Sequence, residues 1–581
     1  MKFQYNLKRI IVSTLAVSAV AFACDDSFLD VPPTGSLGEA QLTSRAGVEG
    51  ALIGAYSMLS SNDGFTRLSG PDNWVYGSIL GGEANKGTDP GDFITINQMQ
   101  RYETDPANGD INSTWAAHYE GIARANAVIR LATASTELSQ AEKNRVLGEA
   151  RVIRGHFYFN LKRLFNSVPY IDETKTYGNG IESVPNSPDF WDKIEADFKF
   201  AYDNLPETQA QAGRVNKWAA GAYLAKSMLY QKKYAQAKAI FDVVISSGRT
   251  TNGKKFGLVP HYAQIFNAAN DNHEEAVFAV QTSMNTGSTS NANWFQDLNY
   301  PYNTGPSGPG NCCGFFQPSF DMANSFRTND SGLPLLDGSY NAAANALRND
   351  YGVESSQPHT PDMGNLDPRI DHSIGRRGIP YLDWQDHPGK DWIRNQAYAG
   401  PYSPKKYIYY KNQENVLTDG SSWTRGYSTM NYTIIRFADV LLMAAECEVE
   451  LNNLEKAREY VNMVRNRAAN PASWVTKNGQ PAGKYVISAY TAPWTNQTVA
   501  RNAVRFERKL ELSGEGHRFF DLVRWGIAAT ELNAYLQHEA RFLVTKFGGA
   551  RFTAGKAEFL PIPQLQIDYQ GTSVLKQNPG Y

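Results

Sequence analysis

The chain has 581 residues, with 56 Lys and Arg against 58 Asp and Glu and a formal net charge of −2. Its cations are dispersed, without a basic stripe or interleaved stacking aromatics, so nucleic-acid binding has no electrostatic support. An apolar share of 42% suits a large buried core, and 31 Tyr, 28 Phe and 11 Trp, many in Gly-, Asn- and Pro-rich stretches, point to amphipathic rings partly presented to solvent or ligand.

Lys2, Lys8 and Arg9 precede an apolar run over 10–23, the layout of a bacterial export signal, too short and too one-sidedly flanked for a membrane-spanning helix. Ala21 and Ala23 before Cys24 resemble a lipobox, although Phe22 stands where a small residue is usual. The reading is a cleaved lipoprotein signal over 1–23, lipidation of Cys24 and a tether over 24–35 through Val31-Pro32-Pro33. Loss of the three leading cations takes the net charge from −2 to −5. Residues 36–581 are expected to form a single domain.

Helical periodicity begins at about 113–134 and 140–165. In the second of these, Ala150, Ile153, Phe157, Leu161 and Leu164 recur at three- and four-residue spacing and give one wide apolar face. Further helices are expected at 189–204, 217–231 and 234–246, the last two as a hairpin. A shift of 220 positions lays 218–245 over 438–465, so that Tyr234, Ala237, Phe241 and Val244 meet Leu454, Ala457, Val461 and Val464. A second hairpin therefore falls within 434–468. Two such repeats, far apart in sequence, predict a curved scaffold rather than a free solenoid. The helical scaffold is placed mainly at 113–248 and 432–526. Between its parts, 251–431 reads as a loop-rich folded insertion carrying the variable surface.

Arg505, Glu507, Arg508, Glu511, Glu515, Arg518, Asp521 and Arg524 invite a glycosidase reading, since paired carboxylates perform acid/base chemistry. Their three- and four-residue spacing favours mutual ion pairing on one helical stretch, and no catalytic residue is assigned. The nine histidines lack HExxH spacing, the cysteines lack CxxC spacing, and 270–275 lacks the calcium-loop glycine, so no metal or cofactor is expected. Neither a nucleophile elbow nor a phosphate loop occurs.

Four segments, in order, carry a resemblance: CDDSFLDVPPTG at 24–35, ARVIRGHFYFNLKRLF with VPY over 150–170, RFERKLELSGEGHRFFDLVRWG at 505–526, and FLPIP with QNPGY near the end of the chain. Together they resemble the SusD/RagB family of nutrient-binding outer-membrane lipoproteins of Bacteroidota. The resemblance implies a mainly α, SusD-like fold, with tetratricopeptide-like helix hairpins packed against an irregular, loop-rich ligand-binding half. It also implies a non-catalytic surface lipoprotein that captures oligosaccharide and delivers it to a SusC-like TonB-dependent outer-membrane barrel. Companion surface glycan-binding proteins and glycosidase lipoproteins of a polysaccharide-utilization cluster would be partners. Asp25 and Asp26 look like the acidic tag that directs such lipoproteins to the outer leaflet. The alternative is a RagB-like peptide-binding lipoprotein of a peptide importer, for which polar backbone contacts matter more than aromatics.

Within this frame Trp74, in GPDNWVYG, is the first choice for a ligand-facing ring, with Asp72 and Asn73 beside it as partners for sugar hydroxyls. Stacking a sugar on such a ring would bury roughly 100 Å² and contribute about 2.5 kcal/mol before ordering costs; the competing reading of Trp74 is a core plug. Trp294, Tyr300 and Tyr302, in NANWFQDLNYPYNTG, have the same character of aromatics separated by small polar residues. Trp384, Trp392 and Tyr402 are weaker candidates. Adjacent Cys312 and Cys313, if bonded, would form a compact apolar plate opposite Trp74; two reduced thiols, or a bond from one of them to Cys447, are the alternatives. Arg376, with Arg377, is a candidate donor to ligand hydroxyls or a member of a surface ion pair. The cysteine pair with a tryptophan points to a small, flexible sugar such as fructose in a fructan.

Overall fold

The computed structural model of the chain describes residues 38–60, 67–70, 74–288, 291–420 and 424–581; Cys24, Asp72 and Asn73 lie outside them. The first long helix, Gly109–Ala134, starts four residues before the sequence periodicity shows, because the Asn108 side chain caps it by accepting from the Asp110 N–H. The next, Gln140–Phe165, opens with a reciprocal capping box between Ser139 and Glu142. Gly121 lets these two helices close up: a Cβ there would come within 2.2 Å of the Phe157 ring. Arg45–Ser57, which apolar periodicity did not reveal, packs on both.

Helices Trp191–Asn204, Lys217–Tyr230 and Tyr234–Ser247 continue the array, each against the one before. Tyr234–Ser247 then packs on Phe437–Glu450, which pairs with Leu454–Ala468 and Gln497–Glu511. The two hairpins thus stack directly across the insertion. Their internal repeat extends to the turns. Lys232 and Asn452, 220 positions apart, both adopt left-handed backbone, with φ of 60° and 63°. Lys233 N donates to the Met228 carbonyl at 3.0 Å, and Asn453 N to the Glu448 carbonyl at 2.7 Å, so the same turn is built twice. Ala237, Phe241 and Val244, and their counterparts Ala457, Val461 and Val464, are all fully buried.

The insertion is tied at its ends and to the amino-terminal part of the chain by short antiparallel pairs. Ala276–Val280 pairs with Tyr432–Arg436, with Val280 opposite Tyr432. Ala84–Gly87 pairs with Phe315–Pro318, with Gly87 opposite Phe315. Much of its aromatic content is core: Tyr300, Tyr381, Trp384, Trp392, Ile408 and Tyr409 form a second buried cluster, and Tyr402 is buried in the main one. The expectation of rings presented to solvent is corrected for these positions.

The charged stretch over 505–524 does not pair mainly with itself. The chain breaks between Gln497–Glu511 and Arg518–Arg524 at Gly514 and Gly516, whose φ of 72° and 78° end the helix, so the charges do not share one helical face. Within the stretch the ion pairs are Arg508–Asp521 and Asp521–Arg524. Other charges reach across the fold. Glu511 accepts from Arg369 at 2.9 Å, from Arg436 at 2.6 Å and from Arg467. Glu507 accepts from Arg369 at 2.6 Å and Arg465 at 2.9 Å, and Glu515 from Arg436 and Lys406, each at 2.7 Å. Burial alone would raise the Glu511 carboxyl, but Arg467, Arg436 and Arg369 hold it well below the usual carboxylate range.

Glu539 is the opposite case. Its buried carboxyl accepts from the N–H groups of Asp321 at 2.9 Å and Phe320 at 3.3 Å; burial first, and the nearby Asp321 charge, push it up to about 8. A carboxyl raised on folding contributes stability that is fully present below its unfolded value of about 4.3 and is lost as pH rises through the folded value. Glu539→Gln is therefore expected to flatten the decline in melting temperature between about pH 5 and 8, and to exceed the parent at pH 8. Thermal melts across that range check this; parallel curves would refute it.

Candidate functional site

Six of the residues singled out in the sequence converge on one loop cluster. Trp294 opens the short helix Trp294–Asn299. Cys313 N donates to the Leu298 carbonyl at 3.2 Å and Gly314 N to the Tyr300 carbonyl at 2.8 Å. Tyr300 bridges Cys313, and Tyr302 bridges Asn311. Cys312 and Cys313 are joined as a disulfide, and Cys447 is a buried free thiol. Trp74 begins the turn Trp74–Ile79 and lies edge-on to Phe315 and Phe316, at ring distances of 6.2 and 5.8 Å.

These residues divide by exposure. Trp294, Tyr302 and Cys312 are half-buried. Trp74 is only 2% exposed, and Tyr300 is fully buried. Trp74 is therefore a backing ring behind Phe315 and Phe316 rather than an open platform, because the pairing of Ala84–Gly87 with Phe315–Pro318 draws both phenylalanines over its segment. Tyr300 is a core ring whose backbone holds the cysteine loop; Gly310 lies on it so closely that a Cβ would stand 2.3 Å from the ring. Arg376 is corrected as a ligand donor. It is buried and donates to both oxygens of Asp371, at 2.7 and 2.8 Å, which neutralises its charge and occupies its fork. Trp384 and Trp392 belong to the second core cluster with Tyr300.

Other residues complete the cluster. Arg394 donates to Asp92 and Asp89, each at 2.7 Å, and its guanidinium lies 5.4 Å from the centre of the Tyr302 ring. It also donates to the Thr88 hydroxyl at 2.9 Å. Thr88 N in turn donates to the Gly314 carbonyl at 2.6 Å. Gly87 permits that approach, since a Cβ there would meet the Gly314 carbonyl oxygen at 2.3 Å. Phe93 is 37% exposed, sits edge-on to Phe315 at 5.4 Å and has a φ of 44°. A bulky residue held in left-handed backbone while its ring meets solvent is a feature that accompanies binding sites. The sequence signal for this part was the turn-rich TDPGDF run over 88–93; nothing in it foretold the conformation of Phe93.

The cluster thus offers partly exposed ring faces, an apolar disulfide edge at Cys312, and the carboxylates of Asp89 and Asp92 held by Arg394. Such a mixture suits a ligand with apolar C–H faces and hydroxyl rims. The catalytic reading of the 505–524 carboxylates has no geometric basis, since Glu507, Glu511, Glu515 and Asp521 are each buried against cations.

Two family models match the chain: the SusD family over residues 274–581 and "Starch-binding associating with outer membrane" over residues 28–229. SusD-like protein P25 of Formosa agariphila is 25% identical over 547 residues, 90% of each chain. Among solved structures, a laminarin binding SusD-like protein superposes with a TM-score of 0.65 at 23% identity, covering 93% of this chain and 100% of that one. Surface glycan-binding protein A from Bacteroides thetaiotaomicron, in complex with laminarihexaose, gives 0.64 at 19%, covering 92% and 99%. The mainly α architecture, with its stacked hairpins and loop-rich half, is the SusD-like fold, and the chain belongs to the SusD family.

Proposed function

We propose that the protein is a surface lipoprotein of the outer membrane that captures oligosaccharide at the loop cluster around Cys312–Cys313 and delivers it to a SusC-like TonB-dependent barrel, without cleaving it. The observation that carries this reading is half-exposed Tyr302, and Phe93 through its contact with Phe315, flanking the disulfide loop on a frame fixed by Arg394 and its two carboxylates. Two structural neighbours named for laminarin or glycan binding support the ligand class. Lipidation at Cys24 would supply the anchor. Tyr302, Trp294, Phe93 and Cys312 are the assigned ligand-facing positions, with Trp74, Tyr300 and Cys313 supporting them from behind.

The test is calorimetric titration of the mature protein lacking lipid with laminarin, fructan and α-glucan oligosaccharides and mixed peptides. One glycan class is expected to bind saturably, without products, and Tyr302→Ala is expected to weaken it at least about tenfold, or 1.4 kcal/mol. Binding of peptides alone would replace this reading with the peptide-importer one.

A further inference from the structure

A second concave site lies apart from the aromatic cluster, behind the same turn. Helices Gln497–Glu511, Arg518–Arg524 and Ala528–Glu539, with the segment 336–341, border a half-open cavity of about 760 Å³. Gly81, just after the Trp74–Ile79 turn, lines its wall. Four cations face it: Arg505, Lys509, Arg518 and Arg541.

Two of them, Arg505 and Arg541, are paired unlike the arginines of the buried network. Arg369, Arg436 and Arg467 are each held by two or three carboxylates. Arg505 has no carboxylate within ion-pair range among the described residues; it lies over the Trp525 ring at 4.8 Å, with its Nε buried and unbonded. The cations nearest it are already spoken for, Arg501 by Glu450 and Arg524 by Glu446 and Asp521. Burial, and then these like charges, hold the Arg505 guanidinium below its ordinary range, opposed by Glu446 and Glu450. Among the described residues, the Arg541 guanidinium bonds only to neutral atoms of His538, its ring Nδ1 and its carbonyl; burial pushes that imidazole down to about 4, so the ring is neutral at pH 7. His538 is 6% exposed, and its Nε2 has no partner. Arg518 reaches Glu531 at 3.4 Å. Of the remaining carboxylates, Asp321 is committed to Lys509 at 2.8 Å, and Asp337 accepts from Ser339.

The cavity therefore holds cationic charge that the fold leaves incompletely answered. Its volume is that of a small-ligand site, far larger than a single inorganic anion. Asn502 and Gln537 stand at its lining, with the half-exposed Phe506 ring beside Arg505 and Lys509. Amides for hydroxyls, a ring for a C–H face and forked cations for an anionic substituent together describe one ligand class.

We propose that this cavity is a second saccharide subsite, selective for a sugar bearing a carboxylate or a sulfate ester, with Arg505 and Arg541 as the anion-binding pair. The saccharide class rests on the function proposed above; the anionic preference rests on the cations alone. The experiment titrates the mature protein with an oligogalacturonate, a sulfated galactan oligosaccharide, neutral laminarihexaose and inorganic sulfate, in the parent, R505Q/R541Q, N502W and Tyr302→Ala. Asn502 is exposed at the lining, so N502W narrows the cavity while leaving all four of its cations in the chain. At least one acidic oligosaccharide should bind the parent and Tyr302→Ala alike, about tenfold or more weaker in R505Q/R541Q and N502W, and weaker with added salt. Whichever acid binds identifies the substituent. Absence of acidic binding, binding in the cavity variants as tight as in the parent, or sulfate binding as tightly as the oligosaccharides would overturn the proposal. Failure of the aromatic site is read separately, from a neutral glycan whose binding ignores Tyr302→Ala.

Discussion

Replacing Glu511 with glutamine is expected to destabilise the protein by roughly 3–5 kcal/mol, measured as a shift in the denaturant midpoint with the slope unchanged. The carboxylate stands among Arg369, Arg436 and Arg467, all buried, and an amide leaves that cluster with one compensating charge fewer. The same network joins Glu275 and Arg369 of the insertion to Arg467 of the second hairpin and to the Gln497–Glu511 helix, so its loss loosens the contact between the two halves of the fold. Asp203→Asn is the control. Its partner Lys199 is 63% exposed, and such pairs contribute about 0.5 kcal/mol or less. Equal effects of the two substitutions would show that the buried network does not hold the halves together.

Trp74→Ala and Tyr302→Ala should separate support from contact. Trp74, 2% exposed and edge-on to Phe315 and Phe316, leaves a large cavity when truncated, for a loss of about 3–5 kcal/mol. Glycan affinity falls with it as the two phenylalanines lose their backing, and Trp74→Phe should recover part of both. Tyr302 is half-buried, with Arg394 over its ring; its truncation is expected to lower affinity while leaving the denaturation midpoint nearly in place. A stable Trp74→Ala protein that no longer binds would instead make Trp74 a direct contact.

What the sequence revealed follows from what is local. The paired hairpins were legible because tight packing leaves a periodic trace, and the 220-residue shift that aligned Ala237 with Ala457 also aligns the left-handed turns at Lys232 and Asn452. The aromatic-polar run around Trp294 and Tyr302 and the adjacent cysteines were legible as composition. Which rings face inward was not. Tyr300 and Tyr302 sit in the same aromatic-polar run, yet one is fully buried and the other half-buried, and that choice depends on Tyr381, Trp392 and Tyr409, about 80 to 110 positions away in sequence. The pairing of Asn85 with Gln317 spans residues too distant, and strands too short, for any pattern to announce. For Arg505 and Arg541, the charges were visible; their lack of carboxylate partners is a property of the folded surroundings.

The pairing of Val280 with Tyr432 places the start and finish of a stretch of about 150 residues side by side. A segment whose ends already meet can be exchanged, lengthened or recombined with little strain on the host helices. It also carries its own clasp, since Arg369, held by Asp367 within the same stretch, docks on Glu507 and Glu511. The recognition loops can therefore be revised as a cassette so long as the residues that seat it are kept, among them Glu507 and Glu511 on the receiving helix and the Ala84–Gly87 strand, and chimaeras cut at these paired strands are the natural route to re-targeting the protein.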